Sequence, residues 1–373
     1  MYQVIIVGAG PAGAYLAYLL AREGLNVLIL EKAKLPRYKA CGGGITPKVI
    51  KMVDFDLSPV IEVAVHRIIV THKTLRPIDV TKKDPVVYMA SRDKFDMFLV
   101  DKAKEAGATV IEGAKVDNIK VNENSVEVMA GDQSWRAELV IGADGALSRV
   151  GKILGLARKR VIGTALEAEV EVPPDKLAVE QKIVRLDVGL AWKGYAWSFP
   201  KADHLSMGIG HLSTSGKGLR PKFKQFLGHM GLDQIEPAPR LVGWPVPTTA
   251  KPTGLARGRT MVIGDAAALA DGVTGEGIYG AIYSAILAAE VILDEIHKPK
   301  PALDRYSALI RERMGQQLRI ALTVSNWLFP FYGLAHRMAV KRRDLDDYVV
   351  QVIAGDLTYK EFMDTCRKHF IGF

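Results

Sequence analysis

Residues 2–31 constrain the fold more than any other part of the chain. An apolar run at residues 4–7 is followed by the glycine motif Gly8-Ala9-Gly10-Pro11-Ala12-Gly13, by a segment rich in Ala and Leu, and by a second apolar run that ends at Glu31. Apolar runs bounded in this way predict a strand, a tight turn, a helix and a second strand. The sequence therefore predicts the first βαβ unit of a parallel sheet.

The three glycines of this motif have distinct expected roles. Gly8 permits the sharp turn out of the strand, Gly10 lets the backbone approach a pyrophosphate, and Gly13 lets the helix pack closely on the sheet. The pyrophosphate then lies at the free N–H groups and the positive end of the helix. Glu31 is placed where an acid that binds a ribose diol is expected, which favours FAD or NAD over NADP. A structural glycine turn that binds no nucleotide is the alternative.

Composition limits the class of protein. With 373 residues, of which 49% are hydrophobic, the chain can form one large α/β unit and a second lobe. Cys41 and Cys366 are far apart, and the eight histidines show no ligand spacing, so we expect a reducing compartment and no metal site. No signal peptide precedes the first strand, and the apolar window at residues 277–293 is short and contains Glu290. These features predict a cytoplasmic protein.

The formal charge of +9 indicates an acidic partner, such as lipid headgroups, a diphosphate substrate or an acidic electron donor. A basic surface that is merely solvated is the alternative. We expect a monomer and no nucleic-acid partner.

The order of predicted elements divides the chain into a nucleotide-binding domain, a second domain and a cap. The predicted nucleotide-binding domain comprises residues 1–59, 88–155 and 250–300. The predicted second domain comprises residues 60–87 and 156–249. Residues 161–172, 181–188, 195–200 and 205–211 have the alternation of an antiparallel sheet, and a helix is expected at residues 219–229. Residues 301–373 are predicted to form a helical cap, with its first helix beginning at Pro301.

Acidic turns follow two predicted strands of the nucleotide domain, at Asp144 and Asp265. Ligands of open α/β sheets bind at the carboxyl ends of strands. We expect Asp265 to accept hydrogen bonds from ribityl hydroxyls, and the amides near Gly277 and Ile278 to face a flavin ring. For Asp144, a simple turn in which the carboxylate binds local backbone stays open.

Arg92 lies in the first turn of a helix predicted to run from Ser91 to about Ala106, where a cation opposes the helix dipole. An anion, either the cofactor's phosphates or the neighbouring loop, would hold it there, and a solvated arginine is the alternative. In the second domain, Tyr195, Trp197 and Phe199 share one face of a strand by the two-residue period. This face is either a wall for a long apolar ligand or ordinary sheet core.

Several motifs together resemble a known family. The first glycine motif with Glu31, Gly142-Ala143-Asp144-Gly145 and Gly264-Asp265-Ala266-Ala267 resemble the FAD-dependent hydroxylase and reductase superfamily. Within it, Lys39-Ala40-Cys41-Gly42-Gly43-Gly44, Tyr195-x-Trp197-x-Phe199-Pro200 and Thr274-Gly275-Glu276-Gly277-Ile278 resemble the geranylgeranyl reductases. The resemblance spans nearly the whole chain in the right order.

The resemblance implies an α/β fold. An FAD-binding Rossmann-like domain of the p-hydroxybenzoate hydroxylase type would carry an antiparallel-sheet substrate domain and a C-terminal helical region. It implies FAD contacts from Gly8, Gly10, Ala12, Gly13, Glu31, Cys41, Gly42, Gly44, Arg92, Val116, Asp265, Gly277 and Ile278. It also implies a substrate tunnel floored by Tyr195, Trp197, Phe199 and Pro200.

The activity implied by the resemblance is saturation of C=C double bonds in geranylgeranyl chains by hydride transfer from reduced FAD, with NADPH or reduced ferredoxin as the electron donor. The substrate class is a geranylgeranyl lipid, a chlorophyll precursor or a free diphosphate. Hydride addition to an isolated alkene requires a proton at the other carbon. Cys41, Tyr195 and Trp197 are the candidate catalytic residues; Cys41, Tyr195 or an ordered water would supply the proton or fix the alkene. Cys41 as a small apolar spacer is the alternative.

Two other function classes stay open. A flavin monooxygenase or halogenase shares the nucleotide elements, although Tyr195 and Phe199 replace the first tryptophan and the isoleucine of the halogenase stretch Trp-x-Trp-x-Ile-Pro. A polyisoprenoid carrier would need no active flavin.

The C-terminal region combines aromatic and basic residues. The aromatic stretch at residues 327–332 is followed by Arg337, Lys341, Arg342 and Arg343. This pattern is typical of a helix at an anionic membrane surface. A lid packed on the substrate tunnel is the alternative, and both can hold. Further short helices are expected at residues 345–353 and 358–370.

Overall fold

The computed structural model describes residues 1–212, 216–341, 350–352, 354 and 357–370 of the chain. Within these residues, the strands form sheets of eight, seven and three members. The architecture confirms the predicted α/β fold with two sheet domains and a helical C-terminal region.

The strands are β1 (Tyr2–Val7), β2 (Val27–Glu31), β3 (Gly44–Ile45), β4 (Val63–Val65), β5 (Arg67–His72), β6 (Leu75–Thr81), β7 (Val87–Met89), β8 (Thr109–Glu112), β9 (Asn118–Val121), β10 (Val126–Ala130), β11 (Gln133–Gly142), β12 (Val161–Val170), β13 (Ile183–Val188), β14 (Gly194–Pro200), β15 (Leu205–His211), β16 (Val242–Thr248), β17 (Ala256–Arg257) and β18 (Thr260–Val262). The α-helices are α1 (Pro11–Arg22), α2 (Pro47–Met52), α3 (Arg92–Glu105), α4 (Arg149–Leu154), α5 (Pro174–Glu180), α6 (Leu219–His229), α7 (Ile278–Glu295), α8 (Arg305–Arg313), α9 (Gly315–Lys341) and α10 (Tyr359–Phe370). Short 3₁₀ helices occupy Ser58–Val60 and Gly264–Ala267.

The eight-stranded sheet is built on the predicted βαβ unit. Its main path runs β17-β18-β11-β1-β2-β8, and β1 pairs in parallel with both β2 and β11. The residues of β2 are buried without exception, as expected for a parallel strand covered on both faces. Helix α1 packs on α3 and α7, which closes one face of this sheet. The carboxyl ends of β1, β11 and β18 therefore meet at one edge.

The seven-stranded sheet runs β16-β12-β15-β14-β13-β5-β6. Its neighbours are antiparallel except for β5 and β13, which pair in parallel. This parallel pair joins β5 and β6 to the strands of the middle third of the chain. One face packs on α6, where Phe223 and Phe226 contact Met207 and Ile209 of β15. The other face is left to line a cavity.

The C-terminal helices differ from the prediction at one boundary. Helix α8 begins at Arg305 rather than at Pro301, because the Leu303 amide donates to the Gly258 carbonyl and the Gly258 amide donates to Asp304. The preceding residues are thus held against the turn between β17 and β18. The predicted helix at residues 345–353 lies mostly outside the described residues, as do Arg342 and Arg343. No helix in the described part of the chain is both long and apolar enough to cross a membrane.

Substitution of Gly8 by Ala tests how tightly the strand tips are packed. Gly8 has φ +107°, and a Cβ there would lie 2.4 Å from the Ala143 carbonyl oxygen. We expect Gly8→Ala to lower the free energy of unfolding by about 3 kcal/mol or more, through backbone strain and displacement of β11. Gly24 also has a positive φ, +82°, but open space around its Cβ position. Gly24→Ala should therefore cost only about 1 kcal/mol in urea unfolding. Equal losses in the two variants would contradict this packing argument.

Candidate active site

One cavity of about 1210 Å³ extends from the carboxyl edge of the eight-stranded sheet to the inner face of the seven-stranded sheet. Helices α9 and α10 contribute to its outer wall through Phe329, Tyr332 and Phe362. Typical small-molecule pockets have volumes of about 300–1,000 Å³. The cavity therefore has room for a dinucleotide together with an extended apolar ligand.

The N-terminus of α1 faces one end of this cavity. Gly10, Pro11 and Ala12 line it, no side chain caps the helix, and its first turn contains no acidic residue. The amides of Ala12 and Gly13 thus keep their hydrogen-bonding capacity for an anion. Gly13 itself packs inward, where a Cβ would lie 2.0 Å from the Gly8 carbonyl oxygen. This is the geometry that the glycine motif predicts for a pyrophosphate.

Glu31 lies at the end of β2, in the cavity wall and 3% exposed. Its carboxylate accepts hydrogen bonds from the amides of Ala9, at 2.9 Å, and Ala33, at 3.0 Å. These bonds fix the carboxylate beside the glycine motif. Its remaining acceptor capacity can serve two vicinal hydroxyls, as in an adenosine ribose.

Arg92 is held by a carboxylate of its own helix. Its Nε and Nη2 donate to Asp96 at 2.8 and 2.9 Å, and Arg37 Nη1 lies 3.2 Å from the same carboxylate. Arg37 also lies 3.5 Å from Glu31. The Arg92 side chain is only 10% exposed, so the solvated alternative is wrong. The network of paired charges offsets the cost of burial and leaves Arg92 in the cavity wall.

The loop at residues 41–44 lies between the two sheets. A Cβ on Gly42 would be 2.6 Å from the Phe199 ring, and one on Gly43 would be 2.0 Å from the Ala90 carbonyl oxygen. Lys201, 1% exposed, donates from Nζ to the carbonyls of Gly42 and Ala90, both at 2.9 Å. Cys41, Gly42 and Gly44 all line the cavity, so this loop brings backbone against whatever fills it.

Asp265 and Asp144 have different surroundings. Burial raises the pKa of Asp265, and no hydrogen bond reaches its carboxylate from the described residues. Gly277 and Ile278, at the uncapped start of α7, line the cavity beside it. Asp144, in contrast, accepts from the Ser148 hydroxyl and from the amides of the first turn of α4. Its carboxylate therefore caps a helix, which favours the simple-turn interpretation.

The aromatic face of β14 lines the cavity. The ring centroids of Tyr195 and Trp197 are 6.0 Å apart, and those of Trp197 and Phe199 are 6.3 Å apart. The Tyr195 hydroxyl donates to the Thr274 carbonyl, and this links the wall to the glycine-rich loop before α7. Pro200 is buried but is absent from the cavity lining, because the two-residue period directs it to the opposite face. Its predicted substrate contact is therefore not reproduced.

The residues present fit FAD. Besides the free amides of α1 and the Glu31 carboxylate, the indole N–H groups of Trp197 and Trp244 are buried and find no partner among the residues that the structure describes. Buried donors left without a partner are rare in native proteins, and both of these belong to residues of the cavity wall. Val116 also lines the cavity near the Glu31 end. All predicted cofactor contacts except Gly13 thus border one continuous space.

Sequence reasoning missed several residues of the cavity wall. Lys39 Nζ lies 4.0 Å from the centroid of the Trp244 ring, and burial together with Arg92 lowers the pKa of Lys39 to about 8. Tyr38 donates a hydrogen bond to Glu167, a carboxylate that is 2% exposed. One sequence feature could have indicated these residues. Glu167 and Glu169 are two positions apart in a predicted strand that is otherwise mainly apolar, so both acids lie on one face of it.

The C-terminal aromatic stretch covers the cavity. Phe329, Tyr332 and His336 line it from α9, whereas Trp327 is 70% exposed at its rim. The lid interpretation therefore agrees with the placement of this helix. No cluster of three or more metal-ligating side chains occurs in the described part of the chain.

Comparison with known proteins agrees with this geometry. The family model described as an FAD binding domain matches residues 1–191. The chain is 31% identical over 320 residues to geranylgeranyl diphosphate reductase of Synechocystis, covering 78% of this chain and 75% of the relative. It is 29% identical over 394 residues to digeranylgeranylglycerophospholipid reductase of Thermoplasma acidophilum, covering 95% of this chain and 91% of the relative.

Solved structures show the same fold. A geranylgeranyl bacteriochlorophyll reductase-like protein of Thermoplasma acidophilum has a TM-score of 0.76 and 25% identity, with 99% of this chain and 96% of that chain covered. A halogenase solved with phloroglucinol and FAD has a TM-score of 0.69 and 18% identity, with 97% and 85% covered. The second similarity concerns the fold alone.

Replacement of Glu31 by Gln tests the ribose contact. Hydrogen bonds to a charged group contribute about 1.5–3 kcal/mol, so Glu31→Gln should weaken FAD binding by roughly 10- to 100-fold. Titration of the apoprotein with FAD, followed by flavin fluorescence, measures this change. Glu112 pairs with Glu31 across β2 and β8 and accepts from the Leu35 amide at 3.0 Å, but lies outside the cavity. Glu112→Gln should bind FAD as the wild type does, and equal affinity of both variants would exclude the contact.

Proposed function

Because the chain belongs to the geranylgeranyl reductase family of FAD-dependent oxidoreductases, we propose that it saturates C=C double bonds of geranylgeranyl chains. The observation that carries the proposal is the continuity of the cavity. The space beside α1 and Glu31 opens directly onto the aromatic wall of β14. A flavin and an isoprenoid chain would share one enclosed space.

The apolar part of the cavity suits a long hydrocarbon. Its wall combines the rings of β14 with aliphatic side chains of neighbouring strands and helices, namely Val70, Ile78, Val184, Leu186, Val246 and Val324. Burial of apolar surface contributes about 25 cal/mol per Å². A chain of four isoprene units would be held mainly by this term, with no need for directional contacts along its length.

The reaction needs electrons, a proton and a dry site. Bound FAD, once reduced, would supply a hydride to one carbon of the alkene. The chain's own residues would hold the alkene against Trp197 and Phe199 and keep water out beneath α9. Tyr195 stays protonated, because burial raises its pKa and its hydroxyl donates to Thr274. We assign it the role of fixing the glycine-rich loop and the alkene. Cys41, which accepts from the Gly43 amide at 3.4 Å, lines the same space.

The substrate and donor can be tested together under anaerobic conditions. We expect the chemically reduced flavoprotein to convert geranylgeranyl diphosphate or a digeranylgeranyl phospholipid to products two mass units heavier per double bond, with reoxidation of the flavin. NADPH and reduced ferredoxin, supplied separately, identify the donor that sustains turnover. Product that forms only in the presence of oxygen would favour a monooxygenase or halogenase. A flavin that stays reduced with every geranylgeranyl compound would favour the carrier alternative.

We also propose that the rim of the cavity contacts an anionic membrane. The surface concerned, called here the rim surface, has exposed apolar residues, Leu75, Trp192, Trp327 and Leu334, and basic residues, Lys73, Arg76, Lys193 and Arg337. In the described part of the chain, none of these four cations has a carboxylate within 4 Å. Exposed indoles beside unpaired cations are typical of proteins that bind the headgroup region.

Contacts between separate segments make the rim surface continuous. Lys193 Nζ donates to the Asn326 amide oxygen at 2.8 Å. Because Trp192 directly precedes Lys193 and Trp327 directly follows Asn326, this bond joins the two segments that carry the exposed indoles. His336 Nε2 donates to the Arg76 carbonyl at 2.6 Å, which holds the β5–β6 turn against α9. Lipid could then enter the cavity from the membrane without crossing water.

Flotation with vesicles tests the rim surface. We expect binding to vesicles rich in phosphatidylglycerol at low salt, loss of binding at high salt through charge screening, and no binding to pure phosphatidylcholine. Trp192→Ser combined with Trp327→Ser should weaken binding at least about tenfold, because each buried indole contributes about 1.5–3 kcal/mol. Val179, 62% exposed on α5, lies at the opposite end of β13 from Trp192, so Val179→Ser is the matched control. Absence of binding by the wild type at low salt would contradict the proposal.

A further inference from the structure

A buried acid in the cavity wall has no role in the chemistry described so far. Glu167 lies on the inner face of β12 and is 2% exposed. Tyr38 donates from its hydroxyl to Oε2 of this carboxyl group, and Ser206 donates to Oε1 at 3.1 Å. Tyr38 and Glu167 both line the cavity. Acidic side chains are seldom fully buried unless they are paired with a cation, and the two partners named here for Glu167, Tyr38 and Ser206, carry no positive charge.

The sheet register places Glu167 beside the aromatic wall. Trp197 pairs with Gly208, and Gly208 pairs with Glu167, so these residues form one row across β14, β15 and β12. A Cβ on Gly208 would lie 2.2 Å from Trp197 Cζ2. The indole ring therefore lies over Gly208, the residue that separates Trp197 from Glu167 in this row. With strands about 4.8 Å apart, the Cα atoms of Trp197 and Glu167 are about 10 Å apart. An alkene held on the indole would thus lie next to the carboxyl group.

A series of titratable groups connects Glu167 with solvent. Glu169 follows it on the same face of β12 and is exposed. His204 Nε2 lies 2.7 Å from Glu169 Oε2, and His204 Nδ1 lies 2.6 Å from Asp203, which is 86% exposed. Burial lowers the pKa of His204, but Glu169 and Asp203 outweigh it, and the net direction is upward. The His204 Nε2 atom, however, makes no hydrogen bond of acceptable geometry in the described part of the chain. Glu169 is itself exposed and shares a hydrogen bond with Glu167, so a proton from solvent can reach Glu167 through Glu169.

Burial and a neighbouring carboxylate leave a substantial fraction of this acid protonated at neutral pH, although the hydrogen bonds from Tyr38 and Ser206 lower its pKa. Burial, followed by the charge of Glu169, raises the pKa of Glu167 to about 7. The other titratable groups around it are Tyr38, on the loop before Cys41, and Lys201, at the end of β14. The Lys201 ammonium is turned toward the carbonyls of Gly42 and Ala90. Its charge interacts with Glu169 and, more weakly, with Glu167 from that position.

We propose that Glu167 is the acid that gives the reduced alkene its proton, that Tyr38 and Ser206 orient its carboxyl group, and that the exposed Glu169 returns the proton from solvent. This inference rests on the proposed function. Saturation breaks one π bond and forms two C–H bonds. The hydride and both electrons would come from reduced FAD, which would be oxidised, and the Glu167 O–H would provide the remaining hydrogen as a proton. The resulting carboxylate is then reprotonated through Glu169.

Glu167 is better placed for this task than the residues expected from sequence. The Tyr195 hydroxyl already donates its proton to the Thr274 carbonyl. The Cys41 sulfur accepts a hydrogen bond from the Gly43 amide at 3.4 Å. Glu167 combines a position in the cavity wall, a protonated state near pH 7 and a route for resupply.

Single-turnover reduction of geranylgeranyl diphosphate by the chemically reduced holoenzyme tests the proposal. We expect Glu167→Gln to slow alkene reduction by about 100-fold or more, as for loss of a general acid. The wild-type rate should fall as pH rises through about 7, because the acid form is the donor, and Glu167→Gln should lose this dependence. Glu167→Asp should keep the pH dependence at an intermediate rate. Glu171→Gln, an exposed acid just beyond β12, should behave as the wild type.

A second measurement separates this role from simple structural damage. Infrared difference spectra of the oxidised holoenzyme without substrate should show a protonated carboxyl band that titrates near pH 7 and is missing from Glu167→Gln. A Glu167→Gln variant that binds FAD normally and keeps the wild-type pH profile would overturn the role of Glu167. So would a carboxyl band that titrates in the ordinary range for Glu. A wild type that binds FAD but leaves the alkene intact would instead contradict the proposed function.

Discussion

Close contact between backbone segments at the tips of β1 and β11 is the constraint on which the rest of the structure depends. A Cβ at Gly8 would collide with the Ala143 carbonyl, and a Cβ at Gly13 would collide with the Gly8 carbonyl. Because these segments touch, α1 begins directly over the carboxyl edge of the sheet and its free amides face the cavity. Any side chain at Gly8 or Gly13 would separate helix and strand and displace the anion site. The position of the α1 N-terminus is thus set by backbone packing at two glycines.

The second constraint is the junction between the sheets. Lys201 directly follows β14 and donates to the carbonyls of Gly42, in the loop at residues 41–44, and of Ala90, two residues before α3. An ammonium group buried to this extent is stable only if its donors are satisfied, and burial lowers its pKa. Loss of one carbonyl contact would leave a buried donor unpaired. This makes the junction rigid, and it fixes the aromatic face of β14 relative to the loop at residues 41–44.

Local patterns in the sequence were sufficient to predict secondary-structure elements and to predict which side chains share a face of a strand. The run before Gly8, the alternation at Tyr195, Trp197 and Phe199, and the helix at residues 219–229 depend on neighbours within a few positions, and the structure reproduces them. Contacts between distant segments could not be predicted in this way. Tyr38 is 129 positions from Glu167, and Lys201 is 159 positions from Gly42. Burial and pairing of such polar groups follow from the register of the sheets, which no short pattern specifies. The start of α8 depends likewise on Gly258.

The distribution of polar partners identifies the ligands better than the shape of the cavity does. Several charged side chains that border the dinucleotide end are paired within the chain, as Arg37 and Arg92 are with Asp96. Against this background, the unpartnered groups are informative. In the described part of the chain, the indole N–H groups of Trp197 and Trp244 are covered by protein and have no hydrogen-bond partner, although both residues border the cavity. Asp265 borders the same cavity, and burial raises the pKa of its carboxyl group. Polar groups at this position favour a ligand that combines hydrogen-bonding groups with an apolar surface. A flavin with its ribityl hydroxyls has this composition, whereas an isoprenoid chain by itself does not.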